Sequence, residues 1–320
     1  MGGEAQTPSP GERRKGEGRH DYFKDSGDLK ERDHLRGAAA SPRVTEARRF
    51  DSRALGHARS AHVGSVPNRS GGGARASEAF PPLDTRAGKA YTIVIDPGHG
   101  GKDPGAVSPD GRLKEKDVTL RIAHHLRRIL NVTHPDIRVV LTRESDKTVS
   151  LKERAVLARS RKGDLFVSIH CNADVEASSH GIETYYFHKA DSKKALDAAA
   201  RENNVPVSMV NELQAALADV ETVAVKPQSE RLARTVHRNV ISRLRPVITS
   251  GEDRGVRTAP FSVLAEVGMP AILVECAFVS NDRDRARLLR SGYHRLLAEG
   301  LAQGTTQYLR GEDPKLTLKR

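Results

Sequence analysis

The chain reads as an α/β protein: a single three-layer domain with a mostly parallel central sheet flanked by helices, preceded by a disordered tail. Three observations predict this. Short β-branched runs, Thr92-Ile93-Val94-Ile95 foremost, have the continuous apolar character of strands buried on both faces of a parallel sheet. Amphipathic segments alternate with those runs, the order of a sheet covered by helices. Residues 1–88 contain almost no apolar run and are dense in Gly, Ser, Arg, Lys, Asp and Glu, a composition that cannot offset the entropy of ordering.

Pro81-Pro82-Leu83-Asp84 and Gly88-Lys89 mark the hinge between tail and domain. The domain is expected over 89–312, with a short tail at 313–320. Tyr91 to Ile95 is the first strand. It stops at Asp96-Pro97-Gly98-His99-Gly100-Gly101, because proline removes a ladder donor and glycine permits backbone conformations that other residues resist. After two further turns, Val118, Ile122, Leu126 and Ile129 lie along one stripe of a helix from about Lys116 to Leu130. Ile137 to Thr142 is a strand, about Leu151 to Arg161 a helix, and Asp164 to His170 and Ile182 to Phe187 are strands. The segment Ala190 to Pro227 is Ala-rich, helix-prone and broken at Pro206, so it is expected to lie over the sheet as an insertion. A helix at Ser229 to Arg245 follows, then a short strand at Phe261 to Leu264. Pro270 to Val274 is a buried strand ending in Glu275, and the last helix runs from about Tyr293 to Leu309.

The net charge of +12 is spread along the chain. Up to Leu83 there are 15 Arg and Lys against 11 Asp and Glu, so the basic, polar tail or linker supplies only +4 of it. Aromatic residues make up 4% and Trp is absent, which argues against a base-stacking surface; no specific nucleic acid is expected as partner. Two cysteines are too few for a disulfide framework, and no apolar run approaches the length of a transmembrane segment.

His99, His170 and Glu275 share a position in the pattern: each ends or directly follows a buried strand. A charged or polar side chain there is costly unless it faces a cleft or a partner. Parallel strands bring such ends to one sheet edge, where ligands bind in open α/β folds. Glu115 opens the helix after the glycine loop, close to His99. Two histidines and a carboxylate, with one position left for water, are a usual ligand set for catalytic zinc, and the remaining Glu can act as base.

These residues resemble the zinc-dependent N-acetylmuramoyl-L-alanine amidases of the cell-division type, over roughly Tyr91 to Leu309. Ile95-Asp96-Pro97-Gly98-His99-Gly100-Gly101, Glu115-Lys116-Asp117, Phe166-Val167-Ser168-Ile169-His170 with Asn172-Ala173, and Pro270-Ala271-Ile272-Leu273-Val274-Glu275 carry the resemblance. It implies one zinc ion held by His99, Glu115 and His170, with Glu275 as general base. It implies peptidoglycan as substrate, in cell-wall turnover and daughter-cell separation. The alternative class is an inactive wall-binding or regulatory module on the same fold. Ala199-Ala200-Arg201-Glu202-Asn203-Asn204 in the insertion (about 190–227) resembles the family's regulatory segment, so Glu202 is a candidate autoinhibitory ligand. The implied partner is a periplasmic activator with a degenerate endopeptidase-like domain.

Cys171 follows His170 and Cys276 follows Glu275, where the family more usually has small or aliphatic residues. They are expected to act as small buried hydrophobes, with a disulfide across neighbouring strands as the alternative. The resemblance implies a periplasmic or secreted protein. Met1 to Gln6 lacks the basic and apolar regions of a signal peptide, so a start upstream of Met1 or an unrecognised export route is expected.

Overall fold

The computed structural model describes Gly2, residues 91–217 and residues 222–312. Apart from Gly2, the tails expected over 1–88 and 313–320 lie outside the described residues. In chain order the elements are β1 (Tyr91–Pro97), α1 (Glu115–Thr133), β2 (Ile137–Leu141), α2 (Leu151–Ser160), β3 (Leu165–Asn172), β4 (Ile182–Phe187), α3 (Lys193–Glu202), α4 (Val207–Leu217), α5 (Thr222–Leu244), β5 (Asp253–Ala259), the single turn α6 (Ser262–Ala265), β6 (Ala271–Phe278), α7 (Asp282–Leu288) and α8 (Ser291–Leu309).

Six strands form one sheet in the order β2-β1-β3-β6-β4-β5. Every neighbouring pair is parallel except β4 and β6, so the sheet is mostly parallel, as the apolar runs predict. Alternation along the strands divides the core in two. Ile93, Ile95, Val167, Ile169 and Val274 face α1, α5 and α8, whereas Val94, Phe166, Tyr185 and Leu273 face α2, α3 and α6. This is the three-layer arrangement. Val118, Ile122, Leu126 and Leu130 of α1 are all buried, each side chain contributing about 1.5–3 kcal/mol by leaving water. Ser150 and Glu153 close a capping box that starts α2.

Three sequence expectations need correction. Phe261 to Leu264 is not a strand; Ser262–Ala265 is a helical turn, and the Ser262 N–H donates to Asn203 Oδ1 at 2.8 Å. Short apolar runs do not distinguish a strand from a buried helical turn. The strand in this region is β5, whose sequence Asp-Arg-Gly-Val-Arg-Thr-Ala hides it because an edge strand is half-exposed and tolerates charge. Finally, the helix expected from Ser229 begins earlier, α5 starting at Thr222 with Pro227 inside it. The break at Pro206, between α3 and α4, falls where it was expected.

Candidate metal centre

β1, β3 and β6 are neighbours in the sheet, and their carboxyl ends deliver His99, His170 and Glu275 to one edge. The strands run slightly further than their apolar runs suggest. β3 continues to Asn172, with an irregularity in register after His170, and β6 continues three residues beyond Glu275 to Phe278. Glu275 therefore lies within its strand, paired in register with His170 on one side and Glu183 of β4 on the other.

His99 sits at φ 61°, in the left-handed region that non-glycine residues rarely adopt. Two buried arginines hold the loop in place. Arg154 Nη1 donates to Pro97 O at 2.7 Å and to Asp96 Oδ1 at 2.6 Å, and its Nη2 donates to His99 O at 2.8 Å. Arg143 donates to Pro97 O at 2.9 Å and to Gly98 O at 2.8 Å. Three consecutive carbonyls of the loop are thus fixed by guanidinium groups. Asp96, buried among Arg154, Thr142 and Ser168, supplies the counter-charge. Removing one member of such a buried pair typically costs about 3–5 kcal/mol. Two glycines are required by close approach. A Cβ on Gly98 would meet the His170 ring at 2.4 Å, and one on Gly105 would meet Glu115 Oε2 and His99 Cδ2 at 2.5 Å.

Four donor atoms converge beyond this loop: His99 Nε2, His170 Nδ1 and one carboxylate oxygen each of Glu115 and Glu202, all within 4.8 Å of one another. Glu115 bridges the histidines, with Oε2 3.1 Å from His99 Nε2 and Oε1 3.1 Å from His170 Nδ1. Its two oxygens also accept backbone N–H groups of Ala106 and Cys171, each at 2.8 Å, which fixes the carboxylate plane. Glu202 Oε2, reaching in from α3, lies 3.1 Å from His99 Nε2 and 2.8 Å from His170 Nδ1. His99 Nδ1 is hydrogen-bonded to Asp103 Oδ2 at 2.8 Å, which directs the other ring nitrogen into the cluster.

The donor set fits a divalent cation. His99 Nε2, His170 Nδ1 and Glu202 Oε2 are buried and close together, yet none makes a hydrogen bond of acceptable direction. Buried polar atoms left so cost about 1–3 kcal/mol each unless something at their common focus engages them. Glu275 completes the constellation, fully buried, with both carboxylate oxygens free of hydrogen bonds among the described residues.

Comparison with known proteins decides what fold family carries this cluster. Residues 93–307 match Amidase_3, the N-acetylmuramoyl-L-alanine amidases. The chain belongs to that family. It is 34% identical over 235 residues to AmiC of Neisseria meningitidis, covering 70% of this chain and 54% of AmiC. It is 34% identical to LytC of Bacillus subtilis over 68% of this chain and 36% of LytC, so it spans about half and about a third of these relatives. Among solved structures, the N-acetylmuramoyl-L-alanine amidase from Clostridium difficile 630 is 34% identical with a TM-score of 0.54, over 70% of this chain and all of that one.

Electrostatics in this amidase-family site follow from crowded, buried carboxylates. Burial alone would lower both histidines, but Glu115, with Asp103 and Glu202, holds His99 well above the ordinary imidazole range. Glu202 and Glu115 likewise push His170 up to about 10. Burial would raise Glu202 too, but the two histidines hold it well below the carboxylate range. The cluster therefore demands positive charge at its centre, which protons on the imidazoles or a divalent cation between neutral rings can supply. Glu275 goes the other way: burial first, then the charge of Glu202, pushes its carboxyl well up.

All the residues singled out from the sequence meet here: His99, Glu115, His170, Glu275 and Glu202. The sequence reading gave no role of their own to Asp103, Arg143 or Arg154. The signal for Arg143 was its place just after the edge strand β2; Arg154 offered only its place in a helix. Among the described residues the other histidines stay out of the cluster; His237, for example, lies between Thr184 Oγ1 and Asp253 Oδ1. Cys171 and Cys276 are buried free thiols, consistent with small hydrophobes.

Proposed function

We propose that the chain is a zinc-dependent N-acetylmuramoyl-L-alanine amidase that cleaves the amide joining N-acetylmuramic acid to L-alanine in peptidoglycan. The observation that carries the reading is the cluster itself: a half-buried and a buried histidine and a buried carboxylate aimed at one point, beside a buried glutamate on the adjacent strand. His99, Glu115 and His170 would hold one zinc ion, whose chemistry when bound is to polarise the amide carbonyl and acidify water. Asp103 orients His99, and the backbone N–H groups of Ala106 and Cys171 orient Glu115. Glu275 takes the proton of the attacking water and returns it to the nitrogen of the departing L-alanine. Its raised affinity for a proton suits that second transfer. Because the substrate lies outside the cytoplasm, the reading places the protein in the periplasm or at the cell surface, in wall turnover and daughter-cell separation. Purified sacculi digested by the protein should release chains with new L-alanine amino termini. Reducing sugar ends without such termini would reject an amidase.

Glu202 is read as an autoinhibitory ligand within a regulatory insertion at about 190–227. α3, which carries it, is latched over the sheet by Arg201 Nη2 donating to Asn172 Oδ1 at 2.6 Å and by Asn203 Nδ2 donating to Pro260 O at 2.9 Å. A partner that draws α3 away would open the site, the role assigned to a periplasmic activator with a degenerate endopeptidase-like domain. Glu202→Ala is expected to raise basal hydrolysis by between about 5- and 150-fold, the usual range of a coupling energy. Unchanged or lower activity with reduced metal content would make Glu202 a permanent ligand instead.

A further inference from the structure

A second group of polar side chains lies one strand away from Glu275. Antiparallel pairing sets Glu183 of β4 directly opposite Glu275 of β6, so both side chains stand on the same face of the sheet. Glu183 is buried and its carboxylate is fully engaged. Tyr185 Oη donates to Oε2 at 2.7 Å, Asn172 Nδ2 donates to Oε2 at 3.1 Å, and Arg254 Nε donates to Oε1 at 2.6 Å. The Arg254 guanidinium also lies over the Phe278 ring, 5.1 Å from its centroid. Ion pair and ring together immobilise it, while its two terminal amino groups make no hydrogen bond among the described residues.

Arg254 lines a cavity of about 120 Å³ next to the metal centre, with Asn172, Glu183 and Phe278 on the sheet side and Lys194 and Arg201 on α3. Two other carboxylates border it. Asp174 is already bound by Ser179 and Lys194, and Asp197 is half-buried on α3. Arg201 gives one amino group to Asn172 and retains further donors. Guanidinium N–H groups thus reach the cavity from two directions, while two of its three carboxylates are occupied.

We propose that Arg254 anchors a carboxylate-binding subsite, which takes a free carboxylate of the substrate's peptide portion beside the scissile amide. The inference rests on the peptidoglycan reading above. A guanidinium held through Nε presents its terminal pair as a fork that matches a carboxylate in two parallel hydrogen bonds. Glu183 and Phe278 have already removed its rotamer freedom, so little ordering entropy opposes binding. Peptidoglycan stem peptides carry free carboxylates, so the ligand class is present in the substrate.

The test uses the full chain and two soluble muramoyl peptides, one with its peptide carboxylates free and one with them amidated. Titration calorimetry should show the wild type binding the free acid about tenfold or more tightly than the amide. Arg254→Ala and Arg254→Lys should bind both peptides alike, because neither offers the fork. Arg254→Lys keeps a cation beside Glu183, so the variant remains folded, and an unchanged melting temperature verifies it. Equal binding of acid and amide by the wild type, or a preference that survives in Arg254→Lys, overturns the subsite. A wild type that prefers the free acid yet cleaves neither peptide would instead count against the amidase reading and leave the subsite standing.

Discussion

Glu275→Gln should abolish hydrolysis while leaving the metal in place. Its side chain is fully buried and its oxygens make no hydrogen bond among the described residues, so the amide fits the same space with little effect on folding. What it removes is the group that accepts a proton from water and hands it to the leaving amine. Loss of general acid–base catalysis is typically worth about 10²–10⁴-fold. The measurement is the rate at which L-alanine amino termini appear from sacculi, set beside the metal content of the same preparation by mass spectrometry. One equivalent of zinc with the rate reduced at least a hundredfold is the expected pair of results. A variant with an intact rate would remove Glu275 from the mechanism.

The second large effect is on metal rather than rate. His170→Ala and His99→Ala each delete one of the three proposed protein ligands, and Glu115 cannot hold the ion with a single remaining imidazole. Zinc content should fall from one per chain to less than about a tenth. Binding to the folded state also stabilises it, by about 2.7 kcal/mol at a hundredfold excess over the dissociation constant. The wild type should therefore melt higher when zinc is added, and both variants should show no such rise. Full zinc occupancy in either variant would place the ion elsewhere.

Much of this was legible in the sequence because its signals were physically expensive ones. Thr92 to Ile95, Phe166 to Ile169 and Ala271 to Val274 are too apolar to lie anywhere but inside a sheet, and the structure buries them completely or nearly so. Polar residues attached to those runs, His99, His170 and Glu275, had to be compensated, so they identified the site edge. β5 escaped because an edge strand needs neither a long apolar run nor freedom from charge. Arg143 and Arg154 escaped because 53 Lys and Arg are scattered through the chain, and nothing local distinguishes a buried guanidinium from a solvated one. Glu202 is an intermediate case: as a helix carboxylate it looked ordinary, and only the family resemblance and then the position of α3 bring it to the histidines.

The central claim is that two imidazoles and a carboxylate, and no thiolate, hold the ion. X-ray absorption at the zinc edge of the reconstituted wild type tests it most directly, because Cys171 and Cys276 each directly follow a proposed active-site residue in the chain. The account predicts only nitrogen and oxygen neighbours at about 2.0–2.2 Å, with the imidazole pattern of two histidines. Sulfur scattering at about 2.3 Å would contradict it.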